Sequence, residues 1–197
     1  MNDMSESTNK DACCSLDAAI EEAWDMQAWS TCIRLCRERL RCCSSDDAAY
    51  KIRRKLAYSL LENGGARDCE EAISIFQELL ANVSRGSRKS TWLHAHLALA
   101  YDERSYGDRA ANLQMVVEHN ERALAGEAHR QDPAFWASVR AQIGHALVEL
   151  QSEPREDNLR RAVAYFRAAL AVFTEEEFPE EWEETKNAVC RAERLLG

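Results

Sequence analysis

The chain has 197 residues, a net charge of −9 and 46% hydrophobic residues, with only 3 prolines and 7 glycines. This length suits one large domain or a short repeat array, and the apolar content excludes wholesale disorder. The acidic balance argues against nucleic acid as a partner, because phosphate binding needs concentrated positive charge.

Scarce helix breakers and the lack of alternating β-branched runs predict an all-α fold. Residues 1–14 read as a flexible polar tail and 15–197 as a helical repeat domain. Nine helices are expected, at about 15–25, 28–43, 47–62, 68–82, 89–104, 108–126, 133–151, 157–175 and 179–196. Asp25 lies in the first connection, and the run from Cys43 to Asp47 supplies a stop and then an N-cap. Asn63-Gly64-Gly65 ends a helix, since glycine accepts the left-handed conformation there. Further breaks fall at Ser84–Ser90, Ser105–Asp108, Gly126–Pro133, Ser152–Asp157 and Phe178-Pro179, with Pro133 and Pro179 suited to first helical turns.

Two patterns recur along these helices. The second helix of each pair reads Cys32-Ile33, Cys36, Leu40; Ala72-Ile73, Phe76, Leu80; Val116-Val117, Asn120, Leu124; and Ala162-Val163, Phe166, Leu170, at intervals of 40, 44 and 46 residues. Trp92, Trp136 and Trp182 open the first helices, 44 and 46 residues apart. Eight residues after each comes Ala100, Gly144 or Cys190, where a small side chain would let a partner helix approach; Ala57 is the counterpart in an earlier unit. A period in this range is the mark of stacked helical units.

These residues resemble tetratricopeptide repeats in a long-period form. Ala162, Phe166 and Ala169 match the family's small–aromatic–small second helix. The stretch from Gly107 to Leu113, and that from Ala169 to Thr174 followed by Phe178-Pro179-Glu180-Glu181-Trp182, resemble a bacterial subset of such arrays. The likeness covers residues 88–190 well and 16–87 loosely. It implies a right-handed superhelical solenoid of antiparallel helix hairpins, about four repeats plus a C-terminal capping helix over 180–196. It also implies a concave groove lined by the first helices. Arrays of this subset often accompany signalling ATPases or caspase-like proteases, and neither kind of domain is visible in this sequence.

Helix geometry then selects the groove residues. Counting from each tryptophan, offsets 0, 3, 7 and 11 form the packed stripe, and 2, 5, 9 and 12 lie opposite. The open face becomes His94, Leu97, Tyr101 and Arg104; Ser138, Ala141, His145 and Val148; and Glu184, Asn187, Arg191 and Arg194. Ala57 as the equivalent small residue adds Lys51, Arg54, Tyr58 and Leu61. The candidate peptide-binding residues are therefore Lys51, Arg54, Tyr58, His94, Tyr101, Arg104, Ser138, His145, Asn187 and Arg191. Basic heads beside aromatic walls suit an acidic peptide or a terminal carboxylate. The carboxylate clamp of chaperone-binding repeats needs asparagines where Tyr58 and Tyr101 stand. The basic run Lys51–Lys55 has no second cluster beside it and reads as a solvated or groove-lining helix face.

Of the eight cysteines, seven precede residue 70, in neither disulfide-framework nor C-x-x-C spacing, so reduced thiols and no bound metal are expected. Cys32 and Cys36 fall at buried repeat positions. His94 and His96, two residues apart, diverge on a helix. No G-x-S-x-G, P-loop, H-E-x-x-H or Gly-rich dinucleotide turn is present, and the acidic runs suit helix first turns and solvated faces. No apolar run reaches the ~20 residues of a membrane span. Residues 1–11 lack the basic and apolar segments of a secretory signal. A cytoplasmic, non-enzymatic adaptor without cofactor is the expected function, binding a protein or peptide segment in its groove, with no nucleic-acid or membrane partner. Two alternatives stand beside it: a structural or self-association scaffold, including an array serving a separate ATPase or protease, and a cysteine-based metal or redox sensor.

Overall fold

Nine α-helices and no strand make up the described part of the computed structural model, which covers residues 3–43, 45–126, 132–151 and 154–197, with side chains from residue 14 onward. They are α1 Asp3–Asp25, α2 Trp29–Arg41, α3 Asp46–Asn63, α4 Ala66–Ala81, α5 Arg88–Glu103, α6 Arg109–Leu124, α7 Pro133–Glu149, α8 Arg155–Leu170 and α9 Pro179–Leu196. Local chemistry sets the ends. The side chains of Ser45, Ser87, Asp108 and Asp132 each accept from the backbone amide three residues on, satisfying one of the helix's orphan N–H groups. Gly64, at φ +76°, closes α3, and Pro133 and Pro179 sit in first turns.

Two boundaries differ from expectation by more than two residues. Helix α1 begins at Asp3, inside the segment read as a flexible tail, because nothing from Asp3 to Asp25 is a glycine or proline that would stop it. Helix α8 ends at Leu170, five residues early, in a turn where Phe173 is buried and the Thr174 hydroxyl accepts from the Glu177 amide at 3.2 Å. The expected breaks at Ser44, 127–131 and 152–153 lie outside the described residues.

The chain divides into two compact units, Met1–Asn82 and Val83–Gly197. In the first, α1 packs on α2, α2 on α3 and α3 on α4. Its core includes Ile20, Cys32, Cys36, Leu56, Leu60, Ala72 and Phe76. Trp24, Trp29 and Tyr58 cluster with ring centroids 4.9–6.0 Å apart, tying α1, α2 and α3 together.

In the second unit each helix from α5 to α9 packs on the next. Burial reveals its register. The buried positions of α7 include Trp136, Ala137, Val139, Ile143, Gly144, Ala146 and Leu147. Those of α5 include Ser90, Thr91, Leu93, Leu97, Ala98, Ala100 and Tyr101, the same set 46 residues earlier. Trp136 packs with Ala95 and Ala123, and Trp182 packs against a cluster with Ala141 and Ala169, again 46 residues on. Trp136 and Trp182 are equivalent; Trp92 is not their equivalent. Ser90 takes that place, and Trp92 corresponds to Ser138. Ala98, not Ala100, is thus the counterpart of Gly144, whereas Cys190, expected in that series, is exposed.

Candidate functional site

The alternate helices α5, α7 and α9 enclose an open groove of about 430 Å³ within the second unit. Its α5 wall is Ala95, His96, Leu99 and Asp102; its α7 wall includes Ala141, Gln142 and His145, which sit in register with the first three at 46 residues. Phe135, Ser138 and Val139 complete α7, Glu181, Glu184 and Thr185 line α9, and Phe173 enters from the turn before it. Every charged carboxylate or guanidinium among these residues is acidic: Asp102, Glu181 and Glu184.

Several groups are held in place from behind. Arg109 donates to the Asp102 carbonyl at 2.6 Å, to its carboxylate at 2.9 Å and to Glu149 at 2.7 and 3.0 Å. The hydrogen bond to Arg109 holds the Glu149 carboxyl below its ordinary range. Gly107, at φ +81°, turns the chain into this motif, and buried Asn112 donates to the Tyr106 carbonyl at 2.9 Å. The Gly107–Leu113 stretch is therefore a latch that fixes the α5 end of the groove. Asn120 is fully buried and donates to the Gln142 Oε1 at 2.8 Å. His145 Nε2 lies 3.8 Å from Glu184.

The candidates from sequence divide sharply. Ser138 and His145 line the groove. His94, Tyr101 and Arg104 do not, because the origin at Trp92 rotates the count on α5 by two residues. His94 Nδ1 meets His119 Nδ1 of α6 at 2.9 Å, and the Tyr101 ring stacks on His119 at 5.7 Å. Arg104 lies over Tyr101 at 5.8 Å and donates to Asn112 at 3.4 Å. Leu97, counted as open, is fully buried. On α9, Asn187 and Arg191 are exposed and outside the groove lining; burial lowers the His145 pKa, and the Arg191 charge acts in the same direction. The groove residues that the tryptophan count missed are Ala95, His96, Leu99, Asp102, Phe135, Val139, Gln142, Phe173, Glu181 and Thr185. The signal that finds the α5 and α7 members is the 46-residue step from Val116 to Ala162, which contradicts a 44-residue tryptophan step in the same pair.

In the first unit, Lys51 and Arg54 line a pocket of about 410 Å³ with Lys55, Arg39, Asp17, Glu21 and Asp47. Its charges are largely matched internally. Lys51 pairs with Asp47 at 2.7 Å, Arg39 with Asp17 at 2.8 Å, and Lys55 with Glu21. Tyr58 stands in the aromatic cluster with Trp24 and Trp29. By burial Ala57 matches Ala98, so Lys51, Arg54 and Tyr58 correspond to Trp92, Ala95 and Leu99.

Cys32 and Cys36 are fully buried free thiols. The two thiols share one buried site: the neighbouring thiol lowers the Cys32 pKa, and the neighbouring thiol together with burial raises that of Cys36. Among the described residues no group of three or more His, Cys, Asp or Glu side chains could hold a metal ion. No described helix is long and apolar enough to cross a membrane. Comparison with protein-family models and with curated proteins returns no match.

Proposed function

We propose that the helix pairs are tetratricopeptide-like repeats of a right-handed superhelical solenoid, and that the protein is a non-enzymatic cytosolic adaptor. Its second unit binds a protein segment along the face shared by α5, α7 and α9. The observation that carries this reading is the groove itself: apolar walls of Leu99, Phe135, Val139 and Phe173 interspersed with Gln142, His145 and three carboxylates. A concave, largely apolar surface with a few placed polar groups is the form binding sites take. The 46-residue agreement of α5 with α7 in burial supports the repeat reading.

Filling the groove tests the reading. Ser138 is exposed and corresponds to Trp92, so tryptophan at this register already has a precedent on α5. Ser138→Trp is expected to fold with unchanged helicity and to lose the partners captured by the wild type. Gln114→Trp, on an exposed position of α6, is expected to keep them. Quantitative mass spectrometry of captured proteins decides: equal capture by Ser138→Trp and wild type defeats the groove reading.

A further inference from the structure

Resting on that reading, we infer that the groove of the second unit takes a peptide segment that presents a lysine or arginine side chain beside an apolar one. The lining holds Asp102, Glu181 and Glu184 and neither lysine nor arginine. The candidate arginines that gave the face a basic character from sequence lie elsewhere: Arg104 is turned onto Tyr101 and Asn112, and Arg191 is outside the lining. An acidic segment would bring like charges together, whereas a cationic one complements the lining and is drawn by the chain's net charge of −9.

The acids are also spatially organised. Glu184 of α9 lies 3.8 Å from His145, and Asp102 of α5 belongs to the same lining, while the Arg191 charge reaches this imidazole from outside the lining. Carboxylates of both outer helices thus share one lining with His145 of the middle helix. Asp102 is fixed and its charge matched by Arg109, so the negative charge left for a ligand is that of Glu181 and Glu184. Around this centre Leu99, Phe135, Val139 and Phe173 offer contacts for an apolar neighbour of the cation.

The main chain of the ligand has its own contact. Asn120 occupies the position that Phe166 fills one repeat later, and a polar side chain in a fully buried site needs a reason. Its amide donates to Gln142 Oε1 at 2.8 Å. Gln142 also lines the groove, and an amide whose oxygen is taken has its NH₂ donors to offer a peptide carbonyl.

The test pans a displayed library of random dodecapeptides on the full chain. Selected sequences are then made as N-acetylated peptides, so that a free terminal amine contributes nothing, and are titrated by fluorescence anisotropy. The expected binders carry Arg or Lys next to a large apolar residue. Changing that cation to Glu should weaken binding about tenfold or more, the scale of ~1.4 kcal/mol. The Glu181→Lys/Glu184→Lys chain should lose the cationic peptide and bind the Glu peptide more tightly than the wild type does. Glu184→Gln, a milder change, should weaken the cationic peptide about threefold, within the range of an exposed ion pair. Binders that depend on the groove, being lost in Ser138→Trp, yet are rich in Asp or Glu or indifferent to these acidic-site variants, overturn this inference and leave the groove reading standing. The absence of any binder, or binders unaffected by Ser138→Trp, overturns both.

Discussion

His119 is 5% exposed, its Nδ1 2.9 Å from that of His94 and its ring stacked on Tyr101. Burial first, then the His94 and Arg122 charges, lower its pKa from 6.5 to about 4. Burial lowers His94 as well. The folded state therefore binds fewer protons than the unfolded one between these values. Stability is fully present above pH 6.5 and is lost as pH falls toward about 4. The loss should approach about 3 kcal/mol, as 1.36 kcal/mol per pKa unit implies. Urea midpoints measured across this range should fall with acidification in the wild type and fall much less in His119→Phe, which keeps the stack on Tyr101. An unchanged pH slope in that variant would remove His119 from the account. Gly144 makes a second prediction at this scale. A Cβ there would stand 2.6 Å from the ring of Phe166, which is fully buried and has nowhere to go. Gly144→Ala should cost about 1–3 kcal/mol by overpacking, although alanine favours helix. Denaturant titration of this single variant checks the sign.

Helices were the most legible elements, because their ends are written in local chemistry. Ser45, Ser87 and Asp108 cap helices by side-chain bonds that need no tertiary context. What local chemistry does not write is rotation about the helix axis, and the choice of groove residues depends on it. A tryptophan at 92 looks like those at 136 and 182, but its indole is half-buried and stacked on His96 at 3.5 Å, whereas Trp136 is 3% exposed. Two residues along a helix turn a side chain through about 200°, enough to exchange the open and packed faces. His94, Tyr101 and Arg104 were displaced for this reason, and Ser138 and His145 were not. Lys51, Arg54 and Tyr58, counted from Ala57 instead of a tryptophan, match Trp92, Ala95 and Leu99 by burial. The rotation makes a prediction at the element scale. Trp136→Ala should cost about 3–5 kcal/mol, as for a large aromatic removed from a core. Trp92→Ala should cost about 1 kcal/mol or less, the value of a stacking pair near the surface. Equal losses in thermal or urea unfolding would restore the tryptophan register and with it the original groove face.

At the scale of the whole molecule, the division into Met1–Asn82 and Val83–Gly197 separates two chemistries. The first unit holds the fully buried Cys32 and Cys36 and a pocket of mutually paired charges. The second holds the histidine pair, the Arg109 latch and the groove with its acidic lining. Each has its own set of buried apolar side chains, which is the condition for folding alone. The connection from Asn82 to Ser87 is a run of loop between α4 and α5, with Ser84, Arg85 and Gly86 exposed. Limited trypsin digestion should cut first around Arg85, since exposed loop backbone is the preferred site of nicking. Residues 83–197 produced separately should be helical and unfold cooperatively. They should also keep both the acid-dependent loss of stability from His119 and the preference for cationic peptides, because every residue behind those properties lies within this unit. A fragment without helical circular dichroism would mean that the second unit does not carry its own core. A fragment that folds but loses peptide selectivity would mean that the first unit contributes to recognition.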